Sequence, residues 1–371
     1  MVSGHTGQVQ SIREEIAASG PIPFDRFMEL SLYGPGGFFS GDTLRSQKSG
    51  DFLTSPEVSP LFGQTIARFV QSEYERIGDP FMVVEVGAGS GSLLSPLLEA
   101  RQSEARPSEA KPFEAWAVDV SPAARVALAR HLRPERVTSD LGDVPDPLRG
   151  VVVANELIDN LPMAIAQLTA DGWRERWVGS DGDGLAFFDA PARPEVMEWL
   201  RRFAGPVESG GWVEVQLQAE EWLQATLKRI AAGSLLLIDY GDIAEDLAPR
   251  RRDGTLRTYR SHHLGPHPLD EPGATDITAD VNFSALVAGA EALGAEVELM
   301  RQDEFLSAWG LREQLSLYRR RELELARSGP EVERLGERSK RAEAETLLHP
   351  RGLGDFRVMV SRIGHEVISQ V

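Results

Sequence analysis

The sequence predicts an α/β fold: a mostly parallel sheet covered on both faces, with a helical segment ahead of it and insertions at its carboxyl edge. Three observations carry this. From Phe81 onward, short apolar runs alternate with amphipathic stretches, the pattern of βαβ units. The first run ends in a glycine loop that opens a helix. The 371 residues, 42% apolar with seven Trp and fifteen Phe, suffice for two domains or one large domain with insertions.

Residues 12–28 carry apolar side chains at helical spacing, interrupted by Gly20-Pro21-Ile22-Pro23, which predicts two helices with a proline-fixed entry to the second. Tyr33-Gly34-Pro35-Gly36-Gly37-Phe38-Phe39 reads as a loop with aromatic anchors. Helical periodicity returns over 60–76, with Leu61, Phe62, Ile66, Phe69 and Val70 on one side, so residues 1–78 make a helical cap. Strands are expected at 81–86, 115–119, 136–139, 151–154 and 234–239, completed by 295–300 and 356–361. The sheet thus spans a core at 79–244, its continuation at 284–310 and a last strand with tail at 351–371. Within it, Asp171-Gly172 and Asp181-Gly182-Asp183-Gly184 separate aromatic-rich alternating segments, an inserted hairpin at 165–189. Residues 245–283 hold three of the seven histidines in a Gly/Pro-rich stretch, a lid over the site or a disordered segment. The Glu/Arg-rich insertion 311–350 reads as one or two solvated helices. The tandem SEARP–SEAKP at 103–112 is a linker.

Charge and composition exclude several functions. Thirty-nine basic against 57 acidic side chains give a net charge of −18, and no block of five basic residues exists, which argues against nucleic acid or an anionic membrane as partner. The absence of cysteine removes disulfides, thiolate metal sites and Cys nucleophiles. With no apolar run of about 18 residues and no basic-then-apolar start, the chain is expected to be cytoplasmic. A homodimer is compatible with the sequence.

The strongest chemical signal is Glu85-Val86-Gly87-Ala88-Gly89-Ser90-Gly91, a strand running into a loop where backbone can approach a ligand closely. Its spacing is GxGxG, with Ser92 where the dinucleotide pattern places its third glycine. Glu85 just before the loop suits a ligand bearing an ammonium group, and S-adenosylmethionine has one. Asp119, followed by Val120, lies 32 residues past Gly87, or 22 once the ten-residue linker is set aside, close to the ~20 expected of a ribose-binding acid. Asp140 or Asp143, after the third strand, is within reach of the adenine amino group. Asp51, Thr54, Ser55 and Glu57 form a polar cluster ahead of the sheet, read as closing over the methionine end of the cofactor or as a helix start.

After the fourth strand comes Asn155-Glu156-Leu157-Ile158-Asp159-Asn160, beyond the carboxyl ends of the strands where open parallel sheets bind ligands. In a helical turn, Glu156 and Asp159 at i, i+3 share a face and can grip a guanidinium; the alternative is a capping segment. Tyr240 and Tyr259 are candidates for the acceptor channel or for the core, and His262 for a proton acceptor. With no cysteine and no i, i+4 His pair, no metal is expected.

These residues resemble the MidA family of S-adenosylmethionine-dependent methyltransferases, whose mitochondrial members are complex I assembly factors. The resemblance rests on Gly20-Pro21-Ile22-Pro23-Phe24 with Phe27-Met28-Glu29 and Leu32-Tyr33, then Gly50-Asp51-Phe52-Leu53-Thr54-Ser55-Pro56-Glu57 with Phe62-Gly63. Asn155-Glu156, Asp159, Leu161-Pro162, Asp239-Tyr240-Gly241, Gly254-Thr255-Leu256-Arg257, Tyr259, Asp276-Ile277-Thr278, Asp280-Val281 and Phe283 follow in family order. It implies a class I methyltransferase (Rossmann-like) sheet with an N-terminal cap and a substrate-covering insertion. For the mitochondrial members it also implies symmetric dimethylation of an arginine in a complex I subunit. Phe38-Phe39 stands where a Tyr pair is usual, and Ser90 where Arg is common. Three functions remain: methyl transfer to a protein arginine by Asn155, Glu156 and Asp159, methyl transfer to a small molecule, or a cofactor-binding assembly factor without turnover.

Overall fold

The structure is a computed structural model and describes residues 3–41, 44, 54–104, 113–182, 184–250, 252–260 and 263–364. Asp51, His262 and most of the SEARP–SEAKP repeat lie outside them.

Seven strands form the central sheet: β1 (Met82–Val86), β2 (Glu114–Val118), β3 (Val137–Thr138), β4 (Leu148–Asn155), β5 (Ile230–Asp239), β6 (Glu296–Arg301) and β7 (Arg357–Ile363). Their order is β6-β7-β5-β4-β1-β2-β3. Pairs from β5 to β3 are parallel, whereas β7 runs antiparallel between β5 and β6. The chain moves outward from β1 through β3, then returns to the other side of β1 as β4. That reversal opens a crevice at the carboxyl ends of β1 and β4.

Both faces of the sheet are covered, which is why its central strands β4 and β5 read as apolar runs rather than alternating ones. Val83, Val151, Val153, Leu236, Ile238, Val358 and Val360 pack with Leu61, Phe62 and Phe69 of the helix Leu61–Ile77. Their neighbours Val84, Val86, Val152, Ala154, Leu235, Leu237 and Met359 pack on the other face with Leu223 and Leu286 of the helices Leu217–Arg229 and Phe283–Glu291. The period of two along each strand divides the two layers.

The 165–189 hairpin is larger than its sequence suggests. Gly172–Asp181 pairs with Gly184–Pro191 on one edge and with Ala164–Thr169 and Ile22–Pro23 on the other; Trp212–Val215 joins beyond Ala164–Thr169. Of the two helices that open the chain, Ser3–Ser19 and Phe24–Tyr33, the second packs on this sheet through Phe24, Phe27 and Met28 against Ile165 and Val178. Residues 245–283 are not a structureless loop either. Arg257–Arg260 pairs with both His263–Leu264 and Asp276–Thr278, strands too short to leave a periodic signature. The Glu/Arg-rich insertion forms two helices, Leu311–Ser328 and Glu331–Leu347, broken at Gly329-Pro330, with Leu311, Leu315, Ala344 and Leu347 buried against the sheet layer.

Candidate active site

The end of β4 sets the geometry. Glu156 has φ 50°, and among the described residues it is the one non-glycine with positive φ. Such a backbone is costly for a side chain with a Cβ and persists where surrounding bonds impose it. Here its N–H donates to the Ile238 carbonyl on β5 at 2.8 Å. A single 3-10 turn, Ile158–Asn160, follows, and Asp239 at the end of β5 accepts the N–H groups of Ile158 (3.0 Å) and Asp159 (3.2 Å). A kink and a short 3-10 turn, its N–H groups capped by Asp239, therefore bring Glu156 and Asp159 to one wall, with features of both the helical turn and the capping segment that the sequence left open.

Two cavities meet there. The first lies over the glycine loop and is lined by Glu85, Gly87, Ala88, Gly89, Asp119, Val120, Asn155, Glu156 and Thr54. Gly87 (φ 71°) and Gly89 (φ 53°) occupy the left-handed region that glycine alone enters freely. Asp119 locks the loop: one oxygen accepts the Gly89 N–H and the other the Ser121 N–H, each at 2.8 Å. Both oxygens keep a second lone pair for a ligand. Burial, then the nearby Asp119, pushes the Glu85 carboxyl up to about 8. Among the described residues, Glu85 Oε2 and Asn155 Oδ1 are buried with no hydrogen-bond partner. Unsatisfied acceptors in a cleft wall fit a ligand that brings N–H donors, as the amino acid end of S-adenosylmethionine does.

Other expected cofactor residues lie elsewhere. Ser55 gives its N–H to Glu156 Oε1 (3.3 Å), and Glu57 accepts the Ser90 hydroxyl (3.3 Å), so both brace the walls without lining the cavity. Gly91 faces Leu128 and His131. Asp140 is exposed and caps its own turn by accepting the Gly142 N–H at 2.7 Å, while Asp143 accepts the Thr138 hydroxyl at 2.6 Å; neither lines the cavity. Tyr33, Phe39, Leu44, Ser121 and Ala124, which the motif reading omitted, do. Phe39 stacks on Tyr33 with centroids 5.6 Å apart, a signal available in the aromatic Tyr33–Phe39 loop.

The second cavity encloses about 520 Å³ and shares Glu156 and Asn160 with the first. Asp159, Tyr240, Tyr259, Asp276, Arg250 and Arg257 also line it. Asp159 Oδ2 accepts hydroxyl hydrogen bonds from Tyr240 and Thr278, while its Oδ1 is buried without a partner among the described residues. Asn160 donates to Asp276 Oδ1 at 2.9 Å and the Ile277 carbonyl at 3.1 Å, tying the turn to the small sheet. The described His263 and His267 lie away from both cavities, His267 edge-on to Phe187.

Glu156, Asp159 and Asp239 form no ion pair with a cation among the described residues. Burial, then the charge of Asp159, pushes Glu156 up to about 8. Burial also raises Asp159 despite its hydroxyl donors, and burial with the two neighbouring acids raises Asp239 well above the usual carboxylate range. Glu85 and Glu156 thus bind protons more tightly folded than unfolded. Their contribution to stability is fully present below the unfolded value of 4.5 and is lost as pH rises toward about 8. Glu156→Gln should therefore melt ~2–4 °C above the unsubstituted protein at pH 8 and with it at pH 4.5, since ~1 kcal/mol moves a large domain by that much. Calorimetric scans giving the same shift at both pH values would contradict this assignment.

Residues 65–300 match the profile of a family described as "Putative S-adenosyl-L-methionine-dependent methyltransferase". The Drosophila melanogaster protein arginine methyltransferase NDUFAF7 homolog, mitochondrial, is 30% identical over 328 residues, 79% of this chain and 72% of that protein. The Homo sapiens protein arginine methyltransferase NDUFAF7, mitochondrial, is 28% identical over 338 residues, 82% and 74% of the two chains. A crystal structure of a COG1565 superfamily member from Burkholderia thailandensis bound to S-adenosyl-homocysteine matches with TM-score 0.84 and 30% identity, over 97% of this chain and 93% of that one. The expected class I methyltransferase sheet and its cofactor, S-adenosylmethionine, follow from these matches. The cytoplasmic expectation is overturned by relatives whose names place them in mitochondria; the composition on which it rested carries no compartment signal. The chain belongs to the family of S-adenosylmethionine-dependent methyltransferases.

Proposed function

We propose that the acceptor is an arginine side chain of a protein, methylated on a guanidinium nitrogen. One observation carries this reading: Glu156 and Asp159, with no cation of their own among the described residues, stand on the wall where the two cavities meet. A guanidinium supplies the missing positive charge and N–H donors in a planar fork. Relatives named protein arginine methyltransferases support it.

In this reading Gly87, Ala88, Gly89 and Val120 make the bed of the cofactor and Asp119 accepts the ribose hydroxyls. Glu85 and Asn155 face the methionine end, with Thr54 beside them. Bound S-adenosylmethionine supplies an electrophilic methyl on a sulfonium. Glu156 and Asp159 accept guanidinium N–H groups and align one nitrogen for in-line attack, and Tyr240 fixes the Asp159 carboxylate through its hydroxyl. As the N–C bond forms and the S–C bond breaks with its electron pair going to sulfur, the two carboxylates stabilise the positive charge arriving on the acceptor. The methylated guanidinium then releases one proton, and Glu156, with its raised proton affinity, is placed to take it.

The test is incubation with methyl-tritiated cofactor and an extract of cells lacking the protein. Label is expected in the protein fraction, recovered after acid hydrolysis as methylarginine. Label in small molecules only, or cofactor binding with no transfer, would overturn the proposal in favour of a small-molecule enzyme or an assembly factor without turnover.

A further inference from the structure

The acceptor cavity carries a second charge feature that the methyl transfer leaves unused. Arg250 and Arg257 line it with side chains 43% and 40% exposed. One buried carboxylate holds both: Asp280 Oδ2 accepts from Arg250 Nη1 at 3.0 Å and Oδ1 from Arg257 Nη1 at 2.9 Å. Arg250 also lies 3.6 Å from Asp242, but Asp242 is already engaged by Nε and Nη2 of Arg357. A guanidinium has five N–H donors, so donors remain on both side chains for a ligand in the cavity.

The pair is held from behind. Buried Glu214 accepts the N–H groups of Thr255 (2.6 Å) and Leu256 (3.2 Å), fixing the entry to the strand Arg257–Arg260. Gly254 makes that approach feasible, because a Cβ there would lie 2.9 Å from Glu214 Oε1. Thr255 in turn accepts the Asp280 N–H at 3.1 Å through its hydroxyl. A fixed pair of partly exposed guanidiniums on one anion, in the cavity that also holds Glu156 and Asp159, is complementary to a ligand with a cationic tip and a carboxylate set back from it.

We infer that Arg250 and Arg257 read an acidic side chain on the acceptor, so that the enzyme selects arginines with an Asp or Glu within a few residues in the same chain. The inference rests on the arginine reading above. It also reconciles selectivity with charge: a protein of net charge −18 attracts polycations indiscriminately, and a positive rim favours those that also present an acid.

The test uses nonapeptides with a central arginine in a neutral background, one Glu scanned through the other positions, each paired with its Gln counterpart. For the best position the unsubstituted enzyme should show kcat/KM ~3–5-fold higher for Glu than for Gln, the upper part of the range for a partly exposed ion pair. In R250Q/R257Q/D280N, which leaves no buried anion unpaired, that ratio should fall to about 1; R250K/R257K should keep part of it. Because the ratio is taken within one preparation, loss of folded protein does not alter it. A ratio near 1 at every position in the unsubstituted enzyme, or a ratio preserved in the triple variant, overturns the inference alone. Methylation of no peptide by an enzyme that binds cofactor in calorimetry overturns the arginine reading with it.

Discussion

Replacing Asp159 with asparagine is expected to lower turnover about 10²-fold while leaving S-adenosylmethionine affinity within a few-fold, the low end for loss of one positioned acid or base. The separation follows from position, since Asp159 lines the second cavity and not the glycine-loop cavity. Asparagine keeps an oxygen to accept the Tyr240 and Thr278 hydroxyls, so the turn survives and only the charge is removed. Burial already penalises the charged form of Asp159, so the fold should not suffer from the neutral replacement. Single-turnover rates together with calorimetric cofactor binding decide the matter. Full turnover in the variant, or a loss of cofactor affinity as large as the loss of rate, would assign Asp159 a purely structural role.

A larger effect is expected from Gly89→Val, which should raise the dissociation constant for the cofactor by at least ~10²-fold, about 2.7 kcal/mol. Gly89 lines the cavity at φ 53° and gives its N–H to Asp119. A β-branched residue at that φ is strained by roughly 1–2 kcal/mol, and its isopropyl group fills space over the loop. The sheet beneath does not depend on this residue, so the variant should melt cooperatively a few degrees lower. Unchanged cofactor affinity in a folded Gly89→Val protein would remove the loop from the cofactor site.

The sheet was legible because strands buried on both faces must be largely apolar, and 81–86, apart from Glu85, and 151–154 are. The true starts of β4 and β5 were hidden by Gly150 and Gly233, which break the apolar run yet sit back to back where a Cβ on Gly233 would lie 1.9 Å from the Gly150 carbonyl oxygen. The site was half legible. Glu85, Gly87, Gly89 and Asp119 announced themselves because their chemistry lies within one βαβ unit, and local spacing reports local geometry. Asp239 and Thr278 did not, although they cap the turn and hold Asp159, because they reach it from 80 and 119 residues away in sequence. Nor did the sequence show that Glu156 takes a positive φ, since that conformation is imposed by the Ile238 carbonyl on a neighbouring strand. Asp140 shows the converse: a carboxylate after a strand also accepts the Gly142 N–H of its own turn, which sequence spacing does not report.

In the proposed reaction Glu156 and Asp159 await a guanidinium. The most direct measurement is calorimetric titration of the enzyme, saturated with S-adenosyl-homocysteine, with an acceptor peptide carrying arginine and with the same peptide carrying citrulline, which is nearly isosteric and uncharged. At pH 7 the Glu156 carboxyl, raised to about 8, holds its proton until a cation arrives. The arginine peptide should bind at least ~10-fold more tightly, about 1.4 kcal/mol, and its heat should vary with the ionisation enthalpy of the buffer as protons are released. Equal affinity for the two peptides with no proton release would contradict the account.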